Sequence, residues 1–286
     1  MLSLISAEML KIRKRRATWI MFGIFLAFLA FIIIGIGQIV FGEGGADSED
    51  LAPANAALRF PVGYGALLQF VAEMGRWIVI VFATMVVGSE YSWGTVRQVM
   101  ARGASRNRYL TAKLAAIVFS ALVGMLLTLL VGAGLMVVGD LLANGWDPIL
   151  PDGFFVDLAV DSLRTLAVLS VFALVAFCIA VLTRSAAGGL GLGLGYLFVE
   201  AILQPIFRAI GGFWADLADF LLTSLASAAM AGNALGAGEF FGDGDSGFGT
   251  GGMEPGTAGL YLLLHGVVLL AISVWVFNRR DITGSD

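Results

Sequence analysis

At 286 residues, with 59% hydrophobic and only 13% charged side chains, the chain is too apolar for a water-soluble domain, in which about a quarter of the residues carry charge. The formal charge of −4 hides a steep segregation of sign along the sequence. The single cysteine, Cys178, lies in an apolar run, which excludes a disulfide framework or a cysteine metal site. An all-α integral membrane protein follows, because a hydrocarbon layer about 30 Å thick demands about 20 consecutive apolar residues of helix. Long continuous runs, in place of short alternating ones, exclude a β-barrel.

Near the N-terminus, Leu2, Ile5, Met9 and Ile12 recur at helical spacing, with Glu8, Lys11, Arg15 and Arg16 elsewhere around the helix. This predicts an N-terminal interfacial helix, apolar side down in the headgroup layer, that bends into the first span. A basic cluster followed by apolar residues is also the order of a signal peptide. Residues 18–41 are uncharged throughout, however, too long for a cleaved apolar region, and read as a retained span. Six transmembrane helices are predicted, over about 18–41, 67–88, 112–138, 161–182, 187–207 and 257–277, in a single transmembrane domain covering 1–286.

Between them, residues 42–66 are Gly- and acid-rich and read as loop, and 139–160 turns more than once at Asn144, Gly145, Pro148, Pro151 and Gly153. Residues 209–235 are mostly apolar, broken by Gly211, Gly212 and Gly232. A seventh span there would place Arg279 and Arg280 outside, so the segment reads as short outer-leaflet helices between spans five and six. A flexible Gly-rich loop over 236–256 follows. Thirteen of the 17 basic residues fall at the end that holds both termini: Lys11, Arg13, Lys14, Arg15, Arg16, Arg97, Arg102, Arg106, Arg108, Lys113, Arg184, Arg279 and Arg280. Acids dominate the other end, and the positive-inside rule predicts a multi-pass protein of the cell membrane with cytoplasmic N- and C-termini.

Charges inside spans are few and therefore informative. Glu73 and Arg76 stand three apart on the second span, a spacing that allows a structural pair, or they line a substrate route with Trp77 beside them. Glu200 in the fifth span has no local partner, Asp161 and Arg164 at the start of the fourth are spaced to pair, and His265 reads as a packed residue of the sixth. One histidine, one cysteine and an isolated Glu200 supply no catalytic set and no metal ligands. Gly189, Gly191, Gly193 and Gly195 form two overlapping small-xxx-small patterns for close helix packing, within the bundle or across a dimer. They do not form a phosphate loop, since no lysine follows.

The polar stretch 88–113 between spans two and three is the most informative. Read as a helix over 90–103, it places Trp93, Val96, Val99 and Met100 on one face and Glu90, Gly94, Arg97 and Ala101 on the other, with Tyr91 and Gln98 at the flank. Its apolar face would float on the inner membrane surface and offer Glu90, Tyr91, Arg97 and Arg102 to the cytosol. By composition it is equally a plain interfacial helix or one built for another protein to grip.

The string Glu90-Tyr91-Ser92-Trp93-Gly94-Thr95-Val96-Arg97, then Gly103-Ala104-Ser105-Arg106 and Lys113, resembles the signature that follows the second span in ABC-2 type transporter permeases. The opening Glu8-Met9-Leu10-Lys11-Ile12 and the closing Asn278-Arg279-Arg280-Asp281-Ile282 are similar to that family's usual start and end. The resemblance implies the permease subunit of an ATP-driven exporter, non-catalytic itself, paired as a homodimer or with a second permease. Its cytoplasmic coupling helix would seat in a separate ABC ATPase subunit. By resemblance, Glu90 and Arg97 would supply polar contacts and Gly94 close approach, with Tyr91, Thr95, Gln98 and Arg102 around them. Arg102, Arg106 and Arg108 would meet lipid headgroups.

The residues independently require that second subunit, because a Walker A loop needs a lysine after glycine. Lys11, Lys14 and Lys113 all lack one, so ATP and Mg would be bound by the partner and no cofactor by this chain. A cavity lined by spans two and five, with Phe70, Trp77, Phe198 and Phe207, would suit a lipophilic or amphipathic compound. The other class is an ion-coupled secondary transporter using Glu73 and Glu200, against which stands the lack of a visible internal repeat. No nucleic-acid partner is implied.

Overall fold

The computed structural model describes residues 2–36, 59–103, 105–143, 150–235 and 253–279. The loop expectations at 42–58 and 236–252, and Arg280, lie outside them. Among the described residues the secondary structure is helical, and six helices are long and apolar enough to cross a membrane. Where no water can bond to backbone, a chain must satisfy its N–H and C=O groups within each segment, and helices do so.

The elements run in order as α1 (Leu2–Lys14), α2 (Arg16–Ala30, prolonged by a π turn over Phe31–Ile36), α3 (Tyr64–Ser92), α4 (Thr95–Ala101), α5 (Arg106–Ala143), α6 (Phe154–Thr183), α7 (Ala186–Ile210), α8 (Phe213–Asp219), α9 (Leu222–Met230) and α10 (Pro255–Arg279). The membrane-length helices are α2, α3, α5, α6, α7 and α10. Several continue a turn or more beyond the apolar run that marks them in sequence: α3 through Ser92 and α5 from Arg106.

α3 and α6 form the centre. Leu68, Ile80 and Ala83 of α3 and Phe172, Ala173, Phe177 and Ala180 of α6 are buried. Around them α2, α5, α7 and α10 turn apolar side chains outward, such as Ile24 and Phe31, Leu130, Phe198 and Ile202, and Leu260 and Val267. This inside-out distribution suits lipid as the solvent. Hydroxyls within the spans bond back to their own helix: Thr84 Oγ1 donates to the Ile80 carbonyl at 2.7 Å, Thr128 to Gly124 at 2.8 Å and Ser273 to Leu269 at 2.7 Å.

The glycines of α7 divide by face. A Cβ on Gly193 would lie 2.9 Å from Ile80 Cγ2 and one on Gly189 would lie 3.4 Å from Thr84, so these two admit α7 against α3. Gly191 and Gly195 face open space within the chain. The tightest approach to backbone is at the end of α3, where a Cβ on Gly88 would lie 2.5 Å from Ala186 Cα. Backbone cannot yield there as a side-chain tip can. Gly88→Ala is therefore expected to cost about 1–3 kcal/mol of stability through overpacking. Gly134→Ala on α5, with nothing within 4 Å, should leave the thermal unfolding midpoint in detergent unchanged. Equal midpoints for the two variants would refute the close approach.

Between α7 and α10 the apolar segment folds as two short helices. α8 returns along α7, with Trp214 against Phe207 at a centroid distance of 5.1 Å, and α9 climbs back toward Pro255. The turn between them lies level with Glu200, whose Oε1 accepts the Thr223 N–H at 2.8 Å. At about 1.5 Å per residue, Glu200 is about 15 Å inside the end of α7 at Ile210. The hairpin thus reaches well down the bundle from its acidic end.

Candidate functional site

The basic end of the bundle is organised by a turn, and glycine makes the turn. α3 runs through Ser92, then Gly94 takes the left-handed conformation (φ 67°), which costs other residues a Cβ clash. α4 spans only seven residues and ends before Gly103 (φ 83°). The Thr95 hydroxyl caps the end of α3 by donating to the Glu90 carbonyl at 3.1 Å. The helix expected over 90–103 is therefore two helices with a reversal between them, and Glu90 belongs to the first.

That changes the place of Glu90. Helical spacing over 90–103 puts it on the cytosolic face, but it is 2% exposed and points into the bundle, one and two turns beyond buried Val86 and Ala83. Lys11 Nζ lies 3.0 Å from its Oε1, and Lys113 Nζ 2.6 Å from its Oε2, where the Tyr109 hydroxyl also donates. Glu8 completes the set: its Oε1 is 2.6 Å from Lys11 Nζ and its Oε2 3.0 Å from Lys113 Nζ. Each carboxylate thus bridges both ammonium groups, in a closed ring of two acids and two bases drawn from α1, α3 and α5. Lys113 is 1% exposed and Glu8 7%. Burial alone would lower the pKa of Lys11, but its bonds to Glu8 and Glu90 outweigh that and raise it, so Lys11 stays charged at neutral pH.

Neighbouring contacts extend the hub. Arg15, in the break between α1 and α2, donates to Ser89 Oγ (2.9 Å) and to the Met85 carbonyl (3.2 Å), and its guanidinium lies 5.1 Å from the Trp93 ring centre. Arg106 donates to the carbonyls of Phe277 and Asn278 at 3.2 and 2.7 Å, and Asn278 to Asn107 at 3.0 Å. The end of α10 is thereby fastened to the start of α5. Under α4, Val96 is buried and Val99 and Met100 half-buried, while Arg97, Gln98 and Arg102 stand exposed and Tyr91 is half-buried.

The other sequence candidates gather at a different level. In α3, Arg76 donates to Glu73 and its guanidinium faces Phe172. In α7, Glu200 receives the Thr223 N–H and Gln204 donates to Ser224 at 2.7 Å. Trp77 meets Phe198 edge-on at 5.2 Å. Phe70 does not join them: it stacks on Phe25 at 5.3 Å, on the α2 side. Sequence reasoning missed Lys11, Lys113 and Tyr109 as partners of Glu90, and Glu8 as the second acid of the ring. It also missed that Asp161, fully buried, accepts the backbone N–H groups of Ala234 (3.2 Å) and Leu235 (3.0 Å) beside its pair with Arg164 at 3.4 Å. Among the described residues no cluster of His, Cys, Asp or Glu could hold a metal ion.

Six membrane-length helices, two of which, α3 and α5, meet α1 at one ionic hub beside a short linker helix, describe a polytopic membrane protein. The family model described as ABC-2 family transporter protein matches residues 4–200, from α1 through the hub to Glu200, and the chain belongs to that family. No curated protein matches the chain.

Removing one partner of a buried ion pair strands the other's charge and costs about 3–5 kcal/mol. Glu90→Ala should therefore lower the unfolding midpoint sharply, and Glu90→Gln by less, because the amide retains hydrogen bonding. Thermal scans of purified protein test this, and a wild-type midpoint in Glu90→Ala would contradict the ring.

Proposed function

We propose that this chain is the membrane subunit of an ATP-driven exporter, in which α4 is the coupling helix gripped by a separate ABC ATPase. One observation carries the reading: α4 is short, hinged by left-handed glycines at both ends, and presents Arg97, Gln98 and Arg102 outward while it joins the two helices locked by the Glu8–Lys11–Glu90–Lys113 ring. A force on α4 would move α3, α5 and α1 together. Glu90 then works as the anchor behind the docking surface, and the contacts fall to Tyr91, Arg97, Gln98 and Arg102. ATP and Mg belong to the partner, since no lysine of this chain follows a glycine. Both termini lie in the cytoplasm, with the basic end inward.

A second permease copy would sit against the outer face of α7, where Gly191 and Gly195 leave the backbone accessible and Phe198 and Ile202 are exposed. Trp77 and Phe198 would then border a cavity for a lipophilic or amphipathic substrate, with the Glu73–Arg76 pair beneath. The ion-coupled alternative finds its two acids engaged, Glu73 by Arg76 and Glu200 by a backbone N–H.

The deciding experiment reconstitutes the chain with its ATPase and replaces exposed residues only. Arg97→Glu combined with Arg102→Glu should reduce substrate-stimulated ATP hydrolysis about tenfold or more, equivalent to at least 1.4 kcal/mol of coupling. The variant's thermal midpoint should stay at the wild-type value, unlike that of Glu90→Ala. Full stimulation in the double variant would overturn the docking assignment.

A further inference from the structure

A cleft of about 380 Å³ runs between α2, α3 and α5, and no residue of α7 lines it. Its floor is apolar and buried, made by Phe25, Val79 and Met125, and its rim is apolar and exposed, made by Trp19, Phe119 and Leu127. Gly124 keeps it open, because a Cβ there would meet only Phe22, at 3.8 Å. The cleft faces sideways, toward lipid. Its walls offer almost nothing to a polar ligand, but its size falls in the range of ligand sites, about 300–1,000 Å³.

The end of the cleft is different in kind. Arg13 lines it, and Lys14 and Arg16, within three residues of Arg13 in the chain, are exposed like it. Their neighbours Lys11 and Arg15 are bonded to α3, whereas Arg13, Lys14 and Arg16 have no acidic partner among the described residues. Trp19 donates its indole N–H to the Arg13 carbonyl at 2.8 Å, so its ring is held beside Arg13 at the rim of the slot. That is the station of an interfacial aromatic. An open apolar slot that ends at Arg13, with two further unmatched cations next to it in the chain, is complementary to an amphiphile with an anionic head and a hydrocarbon tail.

We propose that this cleft is a binding site for an anionic phospholipid, one acyl chain lying between α2 and α5 and the phosphate on Arg13, Lys14 and Arg16. The site is separate from the α3–α7 face assigned to substrate and does not rest on that assignment. The bound lipid would wedge α2 against α5 and complete the packing that Gly124 leaves open.

The test is native mass spectrometry of the full chain released from nanodiscs holding equal amounts of phosphatidylglycerol and phosphatidylcholine. Wild type should retain one phosphatidylglycerol per chain, about tenfold over phosphatidylcholine, because each cation near a headgroup adds attraction. Gly124→Leu, which fills the slot, should lose that adduct. Arg13→Gln with Arg16→Gln, both at exposed positions that do not threaten folding, should retain a lipid without preference for phosphatidylglycerol. Equal retention of the two lipids by wild type, no retained lipid, or an undiminished preference in the double variant would each overturn the proposal.

Discussion

Two carboxylates and two ammonium groups, each acid touching both bases, fix where three distant stretches of chain meet. Glu8 and Lys11 lie on α1, Glu90 closes α3 and Lys113 is two turns into α5. Glu8, Glu90 and Lys113 are buried and none could be so alone, since desolvating one charge costs several kcal/mol, while Lys11 closes the ring from its exposed edge. Together their charges balance, and the Tyr109 hydroxyl takes up further acceptor capacity on Glu90. Opening such a ring would leave buried charge unpaired. It sets the spacing of α3 from α5 and therefore the frame on which α4 hangs.

The segments that the family resemblance rests on are the ones that converge here. Glu8 and Lys11 open the chain, Glu90 opens the motif after the second span, and Lys113 follows it. Read along the sequence they are three separate likenesses. In space they are one object, and Arg106, from the same stretch, holds the end of α10 to it through two backbone carbonyls. The physical content of the motif is thus a buried charge balance as well as an exposed surface.

Much of the architecture was legible in the sequence because bilayer chemistry leaves few options: an uncharged run long enough to span must be helical. Side-chain partners were less legible. Helical periodicity runs through Gly94 without a break, since residue counting does not register a positive φ. The phase error turned Glu90 outward, and α3 turns it inward. Likewise the four alternate glycines of α7 look equivalent in sequence, but only Gly189 and Gly193 face α3. Spacing along its own span gives Asp161 its pair with Arg164 and gives Glu200 no partner. The further partners of Asp161 and the partner of Glu200 are backbone N–H groups of α9 and the chain beyond it, which carry no side-chain signal.

That last point separates the two ends of the molecule. At the basic end, buried charges answer one another across helices. Toward the acidic end, Glu200 serves the N-terminus of α9, where Leu221 at the cap position has no side-chain oxygen to offer and the helix dipole favours a nearby anion. Asp161 serves the chain just beyond the other end of α9. A single short helix is thereby held at both ends by carboxylates of α7 and α6. Displacing α7 relative to α6 would have to break one of those attachments or carry α9 with it. The hairpin is therefore tied to the relative position of two spans, as α4 is at the opposite end.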